Sequence, residues 1–148
     1  MMRRKSHLPR PLRTVDGVTT SRINFPIVGI GASAGGLEAF TLLLKHLPTD
    51  TGMAFVLVQH LDPDHESALS GLLSRTTSMT VREVTEKIRV EPNHIYVIPP
   101  DRLLSFSRGM LDLQPRPISR RLTHSIDFLF ESLARDQKEK AIGRRCRN

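Results

Sequence analysis

The sequence predicts an α/β fold built around a mostly parallel sheet, and three observations carry that expectation. Two apolar runs of strand length, Ile27-Val28-Gly29-Ile30 and Ala54-Phe55-Val56-Leu57-Val58, are each followed by leucines at helical spacing. The first run passes into its helix through a glycine-flanked turn, Gly31-Ala32-Ser33-Ala34-Gly35-Gly36. With 148 residues, 39% hydrophobic and 25% charged, the chain can bury one core of ordinary size and is too short for two full domains.

Along the chain, residues 1–24 mix Arg, Pro, Ser and Thr without a sustained period, so a disordered basic leader or linker is expected before a domain that starts at Phe25. Leu37, Phe40, Leu43, Leu44 and Leu47 mark the first helix, which Pro48 stops, and Leu69, Leu72 and Leu73 mark a second after the Ala54 strand. A short strand is expected at Val81 to Val84 and a stronger one at His94 to Ile98, ended by Pro99-Pro100. Leu103 to Phe106 and Met110 to Leu113 flank Ser107-Arg108-Gly109 as a hairpin. Ser125 suits the N-cap of a helix with Ile126, Leu129, Phe130 and Leu133 on its apolar face. Ala141-Ile142-Gly143 opens another buried strand, which the basic residues that follow are expected to leave unfinished.

The net charge of +7 raises the question of nucleic acid, and its distribution answers it. Residues 1–22 carry six Lys/Arg against one acid, residues 23–115 seven against ten, and residues 116–148 nine against four. The organised middle is mildly acidic, and the basic ends offer no aromatic stacking platform, so no nucleic-acid partner is expected. Apolar runs fall far short of the roughly 18 to 20 residues needed to cross a bilayer, so no membrane insertion is expected either. The single cysteine, Cys146, excludes an internal disulfide, and a cytoplasmic location is expected.

A serine in a sharp turn between strand and helix is lifted toward the crevice at the strand's C-terminal end, where the helix also points its free amides. Three readings of the turn stay open. Gly31-x-Ser33-x-Gly35 matches the nucleophile elbow of α/β-hydrolases, although only one strand can precede it here. Gly29-x-Gly31-x-x-Ala34 matches a dinucleotide fingerprint, although the second strand ends in Gln59-His60 and not in an acid. The third reading is a serine that only caps its helix. His60 favours catalysis, because neighbouring parallel strands deliver their C-terminal ends to one crevice, where an imidazole can take the hydroxyl proton during attack and return it to the leaving alcohol.

The turn at Gly31–Gly36, then Val58-Gln59-His60, then His94-Ile95-Tyr96-Val97-Ile98-Pro99-Pro100-Asp101-Arg102, and finally Ser125-Ile126-Asp127-Phe128-Leu129-Phe130-Glu131-Ser132, resemble in order and spacing the CheB-type protein-glutamate methylesterases. The resemblance covers residues 25–143 and implies a doubly wound, Rossmann-like α/β fold, incomplete at the C-terminus, with residues 144–148 as a divergent basic tail. It also implies hydrolysis of glutamyl methyl esters on methyl-accepting chemotaxis receptors, giving glutamate and methanol. Ser33 matches the family's nucleophile and His60 its general base. The triad aspartate, which the family carries in a glycine-rich loop after a strand like Ala141–Gly143, has no counterpart, and Asp62 and Asp64 do not match it. Ala34 stands where the family usually has threonine.

The resemblance therefore implies a catalytic domain impaired by truncation, with methylated receptors as its protein substrate. Methyltransferase or receiver modules accompany it in related architectures. The rival expectation is an inactive fragment that keeps receptor binding. No cofactor and no metal is expected: His46 suits the cationic end of a helix, His65 and Glu66 suit a helix start, and His7, His94 and His124 lack neighbours at ligand spacing. Arg102, after the Pro-Pro turn, is a candidate contact for an acidic receptor segment.

Overall fold

Strands that show no polar alternation are those covered on both faces. The structure is a computed structural model that describes residues 23–33, 36–59, 69–116 and 125–146. In it the two apolar runs are strands β1 (Ile27–Ala32) and β2 (Ala54–Gln59), and every residue of both is buried. Helix α1 (Gly36–His46) joins them. Then come the short helix α2 (Leu69–Ser74) and strands β3 (Thr80–Glu83), β4 (Ile88–Arg89) and β5 (His94–Val97). The hairpin strands β6 (Arg102–Ser107) and β7 (Met110–Pro115) precede helix α3 (Ser125–Gln137), a 3₁₀ turn at Lys138–Lys140 and strand β8 (Ala141–Cys146).

The main sheet has the order β3-β5-β2-β1-β8, and all its pairings are parallel. A second sheet, β4-β7-β6, is antiparallel. The chain leaves β1 toward β2 on one side and comes back to its other side only with β8, so the direction of winding reverses at β1. Helices α1 and α2 cover one face and α3 the other. The architecture is the expected α/β fold, doubly wound on a mostly parallel sheet.

Alternation along the strands splits the core in two. Val28, Ile30, Ala32, Phe55, Leu57, Ile95 and Val97 face α1 and α2, meeting Phe40, Leu44, Leu69 and Leu73. Ile27, Ala54, Val56, Val58 and Tyr96 face Leu129 and Leu133 of α3 and the second sheet's Leu104, Phe106 and Leu111. Each fully buried leucine here stabilises by about 1.5–3 kcal/mol. Leu43 and Leu72, expected on the apolar faces of their helices, are 36% and 43% exposed. Phe40 and Leu44, one turn apart, point squarely at the sheet and leave Leu43 at the rim.

The glycines of β1 serve the close seating of α3. A Cβ on Gly29 would lie 2.9 Å from Phe130, and one on Gly31 only 2.5 Å from Ile126. Gly143, paired with Gly29 across β1 and β8, receives the same Phe130 ring, 3.1 Å from where its Cβ would be. At its other side α3 is tied to the hairpin: the Phe106 amide donates to Ser132 Oγ at 2.9 Å, and the Arg108 amide to Asp136 Oδ1 at 3.0 Å. The hairpin turn itself is the one expected, with Arg108 (φ 51°) and Gly109 (φ 81°) both in the left-handed region that a two-residue turn of the right twist demands.

One expectation is corrected. The strand opened by Ala141-Ile142-Gly143 does not stop there but runs to Cys146, in register with β1 from Ile27↔Ala141 to Ala32↔Cys146. Backbone pairing with β1 satisfies this ladder whatever the side chains, and an exposed edge strand leaves room for Arg144 and Arg145 to reach water. Arg145 also pairs with Asp127 of α3. At the opposite end, Ile23 is buried in the core although it precedes the expected domain start at Phe25.

Candidate active site

Ser33 is the first residue past β1 and is exposed. The turn that carries it is tight: its carbonyl accepts the Gly36 amide at 2.8 Å, and a Cβ on Gly36 would come within 2.5 Å of the Ala32 Cβ. Glycine is needed there because the helix starts against the end of its own strand. The same carbonyl faces Gln59 Nε2 at 3.5 Å, a long contact from the buried last residue of β2.

The register of the sheet fixes what meets at this edge. Ala32 pairs with Gln59 on one side and with Cys146 on the other, so the C-terminal ends of β2, β1 and β8 lie side by side. Because winding reverses at β1, this is the place where an open α/β sheet forms its crevice. His60 follows Gln59 in the chain and lies outside the described residues, as do Ala34, Asp62, Asp64, His65, Glu66, His7 and His124. From β8 the edge receives Cys146, and the nearby Asp127 carboxylate is engaged by Arg145. That pair is nearly half exposed, which keeps its contribution to stability at or below about 1 kcal/mol.

The dinucleotide reading of the turn does not survive. Gly29 and Gly31 are strand residues roofed by Phe130 and Ile126, and a fingerprint glycine must leave its backbone open to a pyrophosphate. The remaining histidines that can be placed have local roles. His46 Nδ1 lies 2.9 Å from the Leu42 carbonyl at the end of α1. His94 lies 2.9 Å from the Pro92 carbonyl and 3.4 Å from Glu91, and it stacks on Tyr96. Among the described residues no group of three or more His, Cys, Asp or Glu side chains is placed to hold a metal ion. No described helix is long and apolar enough to cross a membrane.

A small cleft opens at the same edge, lined by Gln59, Pro100, Asp101, Arg102, Arg116 and Ser125 among others. Gln59 belongs both to this cleft and to the Ser33 turn. Sequence reasoning singled out Arg102 but passed over Gln59 and Arg116. A polar residue closing the fully buried run Ala54–Val58 was the available signal for Gln59; Arg116 gave none, since its place depends on the hairpin register.

A family model described as CheB methylesterase matches residues 28–144. A protein-glutamate methylesterase/protein-glutamine glutaminase of Yersinia pestis bv. Antiqua is 35% identical over 121 residues, which is 79% of this chain and 34% of the relative. Protein-glutamate methylesterase/protein-glutamine glutaminase 2 of Xanthomonas oryzae pv. oryzae is 34% identical over 139 residues, 91% of this chain and 37% of the relative. The chain thus spans about a third of the length of these curated relatives. The crystal structure of the Thermotoga maritima CheB methylesterase catalytic domain matches with a TM-score of 0.72 at 26% identity, covering 83% of this chain and 67% of that one.

Proposed function

Because the chain belongs to the CheB methylesterase family, we propose that it hydrolyses glutamyl methyl esters of methylated chemotaxis receptors, with Ser33 as nucleophile and His60 as general base. The observation that carries this reading is the Ala32↔Gln59 register, since Ser33 and His60 are the residues that follow these two partners. In the reaction Ser33 Oγ attacks the ester carbonyl while His60 takes its proton. The tetrahedral oxyanion forms at the start of α1, whose first-turn amides and dipole favour negative charge. Collapse expels methanol with the proton from His60, and a water activated by the same imidazole then frees the glutamate carboxylate from Ser33. Attack on a glutamine side chain, the second activity in the relatives' names, needs the same groups with ammonia as the leaving molecule.

The domain takes in Ile23 at one end and β8 to Cys146 at the other, with the residues before it as leader or linker, and its setting is the cytoplasm. Receiver and methyltransferase modules are the expected companions. A second reading is receptor binding without turnover: among the described residues the β8 end beside Ser33 presents Cys146, and the Asp127 carboxylate near it is engaged by Arg145. Under the first reading turnover depends on Ser33. Methanol release from methylated receptor, measured beside Ser33→Ala, is the test. A rate abolished in the variant supports the first reading, receptor binding with no release supports the second, and an unchanged rate in the variant rejects Ser33 as nucleophile.

A further inference from the structure

The cleft beside the Ser33 turn is supplied with donors from three separate elements. The hairpin register pairs Arg102 with Pro115, so the open end of the hairpin holds Arg102 and Arg116 close together, and both line the cleft. Neither guanidinium has a hydrogen-bond or ion-pair partner among the described residues. Ser125, buried at the first turn of the 13-residue helix α3, brings the positive end of that helix to the same wall, and Gln59 lies on the side toward Ser33. Among the described residues Asp101 is the single acid of the lining. A surface arginine is ordinarily solvated, but two planar forks without a partner among the described residues, beside a helix start, make a site whose natural occupant is a carboxylate.

We propose that this cleft is a specificity site that binds side-chain carboxylates of the protein substrate flanking the ester to be cleaved, so that acidic segments are preferred. The proposal rests on the reading of Ser33 as the reacting group, because it is Gln59, shared by turn and cleft, that sets the two sites side by side. Chemistry points the same way: each hydrolysed glutamyl ester leaves a carboxylate, so a segment with several modifiable glutamates grows more acidic as it is processed. A cleft with two guanidinium groups holds such a segment as it is converted.

The test uses the full chain carrying Ser33→Ala, so that the ester survives, and two fluorescent peptides, each with one glutamyl methyl ester. One has glutamates on both sides of the ester, and the other has glutamines at those positions. Fluorescence anisotropy is expected to show the acidic peptide bound roughly tenfold more tightly than the neutral one, a preference the size of one charge-assisted hydrogen bond. Arg102→Gln and Arg116→Gln should each reduce the preference by about threefold to fivefold, and the double variant should abolish it. Arg102→Lys with Arg116→Lys, which keeps the charge and loses the fork, should retain part of it. Arg75→Gln, an exposed charge beyond α2, should leave it unchanged. Thermal melts by circular dichroism confirm that each variant is folded.

A preference that survives in the double glutamine variant overturns the proposal, as does an equal loss in Arg75→Gln, which would trace the effect to net charge. Equal binding of the two peptides to the Ser33→Ala chain overturns it too. Since these are binding measurements without turnover, they are independent of the methanol assay. Loss of the preference with Ser33-dependent release intact removes only the cleft, and an unchanged rate in Ser33→Ala with the preference intact removes only the nucleophile.

Discussion

Alanine at Gly31 would put a Cβ 2.5 Å from Ile126 Cγ2, with Cδ1 and Cγ1 of the same side chain at 2.8 and 2.9 Å. No Cβ tolerates such distances, so either Ile126 leaves its rotamer or α3 lifts from β1, and lifting would also unseat Phe130 from Gly29 and Gly143. Overpacking of this kind is destabilising by about 1–3 kcal/mol. For a chain of this size, about 2 kcal/mol corresponds to a fall in Tm of roughly 6 °C. The assay is urea unfolding followed by circular dichroism, on Gly31→Ala, Ile126→Ala and the double variant. Ile126 is half-buried, so its truncation alone should lower stability by about 1–2 kcal/mol. Because all three close atoms belong to it, the double variant should be more stable than the two single losses added together, by about 1 kcal/mol or more. Gly71, on the exposed side of α2 with nothing within 4 Å of its Cβ position, is the control, and alanine there should raise stability by up to about 1 kcal/mol. A Gly31→Ala chain with the wild-type midpoint would refute the reasoning, and so would strict additivity in the double variant.

Two further outcomes follow from residues away from the site. Burial pushes the Tyr96 phenol above its usual pKa of 10.0, the Glu91 charge adds to the rise, and the Glu91 amide and Arg82 oppose it. The folded chain thus holds this proton more tightly than the unfolded one, a contribution complete below pH 10 and lost as pH rises through the higher folded value. Tyr96→Phe should remove that alkaline loss in unfolding midpoints measured from pH 9 to 12. At pH 7 it should lower stability by about 1 kcal/mol, since the Glu91 amide loses its 2.9 Å acceptor; a slope above pH 10 equal to that of the wild type would rule out the assignment. Arg108→Asn, at φ 51° in the hairpin turn, should stabilise by up to about 1 kcal/mol, because asparagine adopts the left-handed region more readily. A drop in the urea midpoint would contradict this.

Local pattern made much of the fold legible. The unbroken apolar runs marked β1 and β2 as doubly covered, Pro99-Pro100 closed β5 within a residue of its end, and Gly109 marked the hairpin turn. What was not legible depends on pairing. The two-residue strand β4 has no pattern of its own and exists only through Ile88 and Arg89 facing Leu111 and Met110. Arg144 and Arg145 look wrong for a strand until β1 is known to offer them a ladder, and the strand order cannot be read from residues that satisfy either neighbour equally. The site divides the same way. Ser33 announced itself by its turn, whereas the cleft is assembled from the hairpin base, a strand end and a helix start that lie far apart in the chain.

The late arrival of α3 and β8 also shapes how this chain comes into being. Strand β1 leaves the ribosome before the rest of the sheet, yet among the described residues one of its edges and the face bearing Gly29 and Gly31 are covered by residues from Ser125 to Cys146. At about 5–20 residues per second, β1 waits roughly 6–20 s for these partners. In that interval β1 and β2 can pair, but their assembly carries an apolar face and a free strand edge. Both are surfaces to which chaperones bind and along which nascent chains associate. Long-range pairing of this kind also makes folding slow, so the yield of soluble protein should depend more on synthesis rate and chaperone supply than on the stability of the finished fold.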